Sequence, residues 1–364
     1  MKISRLLSLS LASLGLCFNA MAQQPDSTLN TPAPVAEEEE FDFSDFEAAE
    51  EVKAFASSRI LGGGPQNLFY VGYDRQFGHQ LTAGALGEAD ETKVDVNSVE
   101  EFRIDAQYPL ISKNNITLAL QFNYLRTMYD MEGNTNDHPL LNTLNKNGLT
   151  STSFSTIIFK PLSLKNFLLF QAGVTSNGTY SLSSLDEMGP ARISAAAIYG
   201  WKPNDRKMWG LGISRTYLGG ALNYLPVLYY QYSSDDGKYG IDALLPSRLN
   251  LKRYFTPQSI LSAGFNFQGN TYELGGLNVN GIEAGTTIMN PELRRSELRF
   301  RFVFEKGLTK TLWATAQAGL RYNWEFNVDE KDFFRSLFAE DAYLSENTLE
   351  NPLFFQVGLS WVSP

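Results

Sequence analysis

The sequence has one cysteine, Cys17, and two histidines, His79 and His138, among 364 residues. One cysteine is too few for a cysteine-built zinc site or for a disulfide framework, so both are excluded. Basic residues are also in deficit: 30 Lys and Arg stand against 40 Asp and Glu, giving a formal charge of −10. Because nucleic acids are bound by clustered cations, we predict no nucleic-acid partner. No pattern of residues indicates a metal site or a cofactor.

Long apolar runs are missing as well. No stretch after residue 22 approaches the roughly 18 apolar residues that a membrane-spanning helix needs. Residues 1–22 combine a basic start, an apolar stretch and the ending Ala20-Met21-Ala22, which predicts a secretory signal peptide. The large residue Leu16 precedes Cys17, so we expect cleavage after Ala22 and no lipid attachment. The remaining chain has no cysteine, which suits an oxidising compartment.

The acidity is concentrated next to this signal. Residues 23–51 contain ten Asp and Glu and no Lys or Arg, whereas the rest of the chain, from residue 52 onward, has 30 acids and 28 bases. Residues 23–40 have too little apolar surface to fold alone, and Ser44-Asp45-Phe46-Glu47 matches a helix capping box. We therefore predict that residues 23–66 form an acidic, largely disordered periplasmic segment. It is either a solvated leader, or a plug or docking peptide that enters a basic lumen or binds a periplasmic partner.

From Leu68 onward the apolar pattern repeats every two residues. Residues 312–325, for example, put leucine, alanine and aromatic side chains on one face and polar or charged side chains on the other. Several alternating runs reach nine to fourteen residues, which is longer than most strands of soluble proteins and long enough to cross a bilayer. Short turns alternate with long polar loops at 131–149, 176–190, 271–292 and 327–351. This combination is typical of outer-membrane barrels.

The predicted fold class is all-β: a transmembrane antiparallel β-barrel of about 12–14 strands, with long extracellular loops, over residues 67–364. The count is fourteen if Pro246-Ser247 separates two strands. If 238–255 is one bent strand, another pairing must also change to keep the count even, which gives twelve. The fourteen predicted strands are 68–78, 98–109, 115–129, 150–161, 166–176, 191–202, 208–217, 222–233, 238–245, 248–255, 260–270, 293–306, 311–326 and 353–361.

Four stretches of sequence carry a resemblance to a known group of proteins. They are Phe69-Tyr70-Val71-Gly72-Tyr73-Asp74, Tyr108-Pro109-Leu110, Leu244-Leu245-Pro246 and the alternating last strand, 353–361. With them the chain resembles a Bacteroidetes-type outer-membrane β-barrel protein of an uncharacterised-function family. The last strand resembles the signal read by the barrel-assembly machinery, except that Val362-Ser363-Pro364 follows the final aromatic, Trp361. The resemblance implies a location in the cell outer membrane, lipid and this machinery as partners, and no catalytic residues.

If the apolar face touches lipid, the polar face lines a lumen. The candidate lumen-lining residues are Arg103, Asp105, Arg248, Lys252, Arg295, Glu297, Arg299, Arg301, Glu305, Gln317, Arg321 and Glu325. Bases outnumber acids in this set, so the lumen should be slightly positive. These side chains either form a structural network that fills the interior or line a pore that selects solutes by charge.

We therefore predict a non-enzymatic outer-membrane barrel with a pore, small-solute passage or binding, or structural role. Two alternatives stay open at this point. One is an outer-membrane hydrolase of lipase or protease type, for which His79 and His138 are the candidate bases. The other is a soluble periplasmic β-protein, in which Phe300, Phe302 and Phe304 would lie in a packed core.

Overall fold

A computed structural model describes residues 56–133, 135–181, 184, 188–218, 220–282, 285–330 and 342–363. The predicted signal peptide and residues 23–55 of the acidic segment lie outside these ranges. The elements are β1 (Gln66–Gln76), β2 (His79–Ala83), β3 (Thr92–Lys113), β4 (Ile116–Glu132), α1 (Pro139–Asn147), β5 (Leu149–Pro161), β6 (Asn166–Gly178), β7 (Arg192–Asn204), β8 (Lys207–Thr216), β9 (Asn223–Ser233), β10 (Tyr239–Leu245), β11 (Arg248–Thr256), β12 (Ser259–Glu273), β13 (Asn278–Asn280), β14 (Thr287–Met289), β15 (Glu292–Gly307), β16 (Leu312–Asp329), β17 (Thr348–Leu349) and β18 (Leu353–Ser363).

Fourteen of these strands form one closed antiparallel barrel. Each pairs with its neighbours in the order β1-β18-β16-β15-β12-β11-β10-β9-β8-β7-β6-β5-β4-β3, and β1 also pairs with β3, which closes the ring. The seam between the first and last barrel strands runs from Gln66 opposite Ser363 to Gln76 opposite Phe354. The predicted all-β barrel is confirmed, with fourteen strands rather than twelve, because Pro246-Ser247 is a turn between β10 and β11.

The outer face of the barrel is apolar. Phe300, Phe302 and Phe304 on β15 are 47%, 66% and 43% exposed, so no second protein layer covers them. A large exposed apolar side chain occurs on thirteen of the fourteen barrel strands: Tyr73, Phe102, Leu120, Phe154, Phe170, Tyr199, Leu211, Tyr224, Tyr239, Leu251, Phe302, Leu320 and Val357. An apolar surface that continues around a closed barrel matches hydrocarbon as its solvent and argues against the soluble alternative.

The apolar belt predicts a depth-dependent cost for a charge on the outer face. Phe302→Arg, in the middle of β15, should lower the free energy of unfolding by about 2–4 kcal/mol in lipid vesicles. Leu308→Arg, in the exposed turn after β15, should cost about 0–1 kcal/mol. Urea titrations followed by tryptophan fluorescence measure both values. Equal costs at the two positions would mean that no bilayer surrounds Phe302.

The two ends of the barrel differ. At one end, the short-turn end, the strands are joined by tight connections such as Asn204 to Lys207. At the other, the long-loop end, a hydrophobic core fills the interior, with buried residues from β2, β3, β4, β12, β15 and β16. Helix α1 contributes Leu140, Leu141 and Leu144 to this core. Across the described ranges, no helix is long and apolar enough to span a membrane.

The sequence predicted only a polar loop where α1 lies. Pro139 suits the first turn of the helix, where its missing N–H costs nothing. The helix ends at Gly148, which has a φ of 63° and donates its N–H to the Leu144 carbonyl at 3.0 Å. Three leucines among polar residues place one apolar face on this single short helix, and that face completes the core at the long-loop end.

Candidate functional site

A charge network occupies one side of the lumen, and we define it as Asp74, Glu101, Arg295, Glu297, Arg299 and Arg321. The residues come from β1, β3, β15 and β16, which lie on one continuous part of the barrel wall. Arg295, Glu297 and Arg299 face inward because alternate residues of a strand share a face. All six side chains are buried. The network is therefore a desolvated layer rather than a wet pore lining.

Arg321 and Glu101 are at its centre. The Nη2 atom of Arg321 donates to Asp74 Oδ1 at 2.5 Å and to Glu101 Oε2 at 2.8 Å, and its Nη1 atom lies 3.2 Å from Glu297 Oε1. Glu101 also accepts from Arg295 and from Arg299, each at 3.1 Å. Three guanidinium groups thus face three carboxylates, and the network as a whole is neutral. Such a cluster is stable only while both signs are present.

Below the charge network, toward the short-turn end, lies a polar lumen cavity of about 460 Å³. Its charged lining residues are Arg103, Asp105, Arg248, Lys252, Arg301 and Glu305. Most of the remainder is neutral and polar, including Gln121, Asn123, Asn266, Gln317 and Gln356. A cavity of this size fits a small molecule, and this lining favours a hydrophilic one.

The charges of the cavity are unevenly paired. Arg103 Nε donates to Asp105 Oδ2 at 2.7 Å. Arg248 and Lys252 share Asp242, at 3.6 and 4.0 Å. Arg301 donates from Nη1 to the Gln317 amide oxygen at 3.2 Å, and its buried Nε has no hydrogen-bond partner.

Two opposite charges of the cavity stay unmatched. Within the part of the chain that the structure describes, no carboxylate lies within 4.0 Å of Arg301, and no cation lies within 4.0 Å of Glu305. Neither group has a direct ion-pair partner although both line the cavity, so together they favour a ligand that carries the two complementary charges.

A short segment crosses the barrel at the short-turn end, and we call residues 56–64 the mouth strap. Lys202, which is inward-facing and buried on β7, donates from Nζ to the carbonyl of Arg59 at 2.7 Å, to the carbonyl of Ser57 at 3.3 Å and to the Ser57 hydroxyl. Ile60 packs with Phe159, Phe167 and Met208 inside the barrel. The strap therefore covers part of the entrance to the lumen.

Backbone hydrogen bonds fix both ends of this contact. The Ala56 N–H donates to the Ser163 carbonyl at 3.0 Å, and the Leu61 N–H donates to the Asp205 carbonyl at 2.7 Å. Both acceptors lie in short turns between barrel strands. The mouth strap is thus held by a few hydrogen bonds and one small apolar cluster, which is a limited set of contacts to break.

The structure separates the predicted lumen-lining residues into three groups. Seven line the polar lumen cavity: Arg103, Asp105, Arg248, Lys252, Arg301, Glu305 and Gln317. Four belong to the charge network: Arg295, Glu297, Arg299 and Arg321. The remaining residue is Glu325.

The prediction for Glu325 needs correction. The pairing of β15 with β16 shifts register between Ser296 and Glu297, so Glu325 lies opposite Ser296 and leaves the inward-facing row. Its carboxylate accepts from the Tyr343 hydroxyl at 2.5 Å. Such a bulge inserts one residue into the alternation and turns the following side chains to the other face.

Sequence reasoning missed Asp74, Glu101 and Lys202. Each is next to one aromatic residue: Asp74 follows Tyr73, Glu101 precedes Phe102 and Lys202 follows Trp201. A strict reading of the two-residue period would have placed all three in the lumen. Their partners could not have been found that way, because Glu101 and Arg321 are 220 residues apart.

The two histidines lie at the long-loop end, outside the barrel strands. His79 Nδ1 is 2.9 Å from the carbonyl of Phe77, and His138 Nε2 is 2.9 Å from the carbonyl of Gly84. Burial lowers the pKa of His79 below its ordinary value, so its ring is neutral at neutral pH. Each ring thus forms a hydrogen bond with a backbone carbonyl at the long-loop end, which is a structural role.

Comparison with known proteins gives the family. The model of the family described as Domain of unknown function (DUF6268) matches residues 134–362, more than half of the chain. The chain belongs to this family. The match to DUF6268 begins before α1 and spans eleven barrel strands, including those that carry Lys202, Arg301 and Arg321. The strands of Asp74 and Glu101 precede it.

No curated protein matches this DUF6268 member. Among solved structures, it is similar to an outer membrane channel from Pseudomonas putida F1, with 12% identity, 86% of this chain and 100% of that chain covered, and a TM-score of 0.37. It is also similar to a FadL homologue from Pseudomonas aeruginosa, with 8% identity, 82% of this chain and 92% of that chain covered, and a TM-score of 0.36. A third similar structure is the toluene transporter TodX of Pseudomonas putida, with 11% identity, 84% of this chain and 92% of that chain covered, and a TM-score of 0.33.

Proposed function

We propose that this protein is a non-enzymatic outer-membrane barrel that binds small hydrophilic solutes in its polar lumen cavity and passes them through the short-turn end. The observation that carries the proposal is the cavity itself: about 460 Å³, polar, and inside a closed wall with an apolar outer face. A barrel of fourteen strands lies between small filled barrels and open porins, which agrees with a narrow, coverable lumen.

The distribution of polarity supports a location in the outer membrane. The apolar belt matches a bilayer, and in outer-membrane barrels the long loops face outward while the short turns face the periplasm. The mouth strap would then lie on the periplasmic side. Insertion by the barrel-assembly machinery through β18 and the Bacteroidetes-type assignment stay predictions from the sequence, as do the signal peptide and the plug role of the acidic segment.

A structural role is the second candidate. It is favoured by the hydrophobic core at the long-loop end, because that core fills the interior there. Passage would then need a rearrangement of the loops, whereas binding from the periplasmic side would not. The enzymatic alternative has weaker support, since both histidine rings contact backbone carbonyls rather than a nucleophile.

Swelling of proteoliposomes tests the proposal. The purified full-length protein should raise the swelling rate in small neutral sugars such as glucose above that of protein-free liposomes. The same preparation, heat-denatured before reconstitution, is the control. Absence of swelling with the native protein, together with absence of any single-channel event in planar bilayers, would contradict passage and favour the structural role.

A further inference from the structure

We propose that the polar lumen cavity is a binding site for a short zwitterionic peptide, whose terminal carboxylate binds Arg301 and whose terminal ammonium binds Glu305. The inference deepens the proposed function, since it names the class of solute that the cavity takes. It rests on the two charges of the cavity that the protein leaves unmatched.

The surroundings of Arg301 leave room for a ligand. Arg301 stands opposite Gly264 on β12 and opposite Gly319 on β16, so neither cross-strand neighbour has a side chain on the lumen face. A Cβ at either glycine would lie 1.9 Å from a backbone oxygen of the adjacent strand, which shows how closely the backbones approach there. Neither cross-strand position therefore places a side chain beside Arg301. Its five N–H groups have one acceptor, Gln317.

A carboxylate is the partner that this environment favours. Guanidinium groups bind carboxylates with two parallel hydrogen bonds, which are stronger than bonds between neutral groups. The charges nearest to Arg301 in the cavity are mostly positive, since Arg103, Arg248 and Lys252 also line it. Two carboxylates, Asp105 and Asp242, are already used by those three cations. Glu305 lies beyond 4.0 Å, so an arriving carboxylate finds Arg301 without an acid in direct contact.

Glu305 supplies the opposite charge at a suitable distance. It lies four residues after Arg301 on the same face of β15, so their Cα atoms are about 13 Å apart at 3.3 Å per residue. The two side chains do not reach each other within 4.0 Å and both line the cavity. An extended peptide of two or three residues is about 7–10 Å long, which suits a gap between the two groups. A zwitterion of that length satisfies both charges at once.

The rest of the lining agrees with a peptide rather than a hydrocarbon. The amides of Asn250, Asn266 and Gln317 can donate to and accept from peptide groups. The volume of about 460 Å³ is within the range of small-molecule sites. A single free amino acid is shorter and would leave one of the two charges unmatched.

Trialanine and its two singly capped forms test the assignment. Isothermal titration on the full-length protein in detergent compares trialanine with N-acetyl-trialanine, which lacks the ammonium, and with trialanine amide, which lacks the carboxylate. Trialanine should bind at least tenfold more tightly than either capped form. Arg301→Gln should abolish the preference over the amide only, and Glu305→Gln should abolish the preference over the acetylated form only. Arg253→Gln, on the outer face of β11, is the matched control and should change neither preference.

The peptide titrations and the swelling assay together distinguish the peptide site from the passage of solutes. Heat-modifiable mobility in gels first shows that every variant is a folded barrel. Equal affinities for the three peptides, or preferences that survive both substitutions, would overturn the zwitterion site. Swelling in glucose without peptide selectivity would leave passage intact and refute the site. Selective binding of trialanine without swelling would support the site and refute passage.

Discussion

Replacement of Arg321 by methionine is expected to lower the free energy of unfolding by about 3–5 kcal/mol, the usual cost of removing one partner from a buried ion cluster. Arg321 is fully buried and contacts Asp74, Glu101 and Glu297. After the change, three carboxylates face only Arg295 and Arg299. Asp74 is the most affected, because Arg321 is its only ion-pair partner among the described residues. Urea titration in lipid vesicles, followed by gel mobility and tryptophan fluorescence, measures the loss.

A second substitution separates charge from packing. Arg321→Met combined with Asp74→Asn removes the carboxylate left without a cation and restores equal numbers of positive and negative groups, so the double variant should recover at least half of the loss. Arg103→Met is the matched control, since its partner Asp105 is partly exposed, and it should cost about 1 kcal/mol or less. If the double variant were no more stable than Arg321→Met alone, lost packing rather than unbalanced charge would be the cause.

Replacement of Lys202 by methionine should release the mouth strap. Methionine keeps an apolar stem of similar length, whereas the carbonyls of Ser57 and Arg59 lose their charged donor. A hydrogen bond to a charged group contributes about 1.5–3 kcal/mol, so the detached strap should become about tenfold or more populated. Hydrogen exchange at the amides of Ala56 and Leu61 should accelerate by that factor, and glucose should enter proteoliposomes faster.

Lys207→Met is the control for this experiment. Lys207 lies at the same end of the barrel, with its ammonium 5.7 Å from the ring centre of Tyr230. Among the described residues, no hydrogen bond or ion pair joins Lys207 to the mouth strap, so its substitution should leave the exchange of Leu61 unchanged. Unchanged exchange in Lys202→Met as well would show that Ile60 and the backbone bonds hold the strap without help from the lysine.

The barrel could be predicted from the sequence because lipid imposes one rule on every strand. Residues such as Phe300 and Phe302 must be apolar wherever they face hydrocarbon, and the intervening Arg299 and Arg301 are then directed inward. The same rule located most of the charged lumen residues, and it did so without any knowledge of their partners.

The interior of the long-loop end could not be predicted in this way. The two-residue period suggested a polar lumen throughout, yet Val94, Val96, Leu293 and Val328 are buried in a core that fills that end. Their apolar partners come from loops and from α1, which lie far away in the sequence. Glu325 was misplaced for a related reason: a bulge is set by the pairing of two strands, and alternation within one strand does not reveal it.

The seam between β1 and β18 constrains how the protein can be made. Its two strands come from the opposite ends of the barrel sequence, so this edge of β1 has no partner until Leu353–Ser363 has been synthesised. Until then this strand edge is unpaired and lies beside the apolar outer surface, a combination that favours aggregation in water. We therefore expect that removal of the eleven residues of β18 leaves a sheet that cannot close.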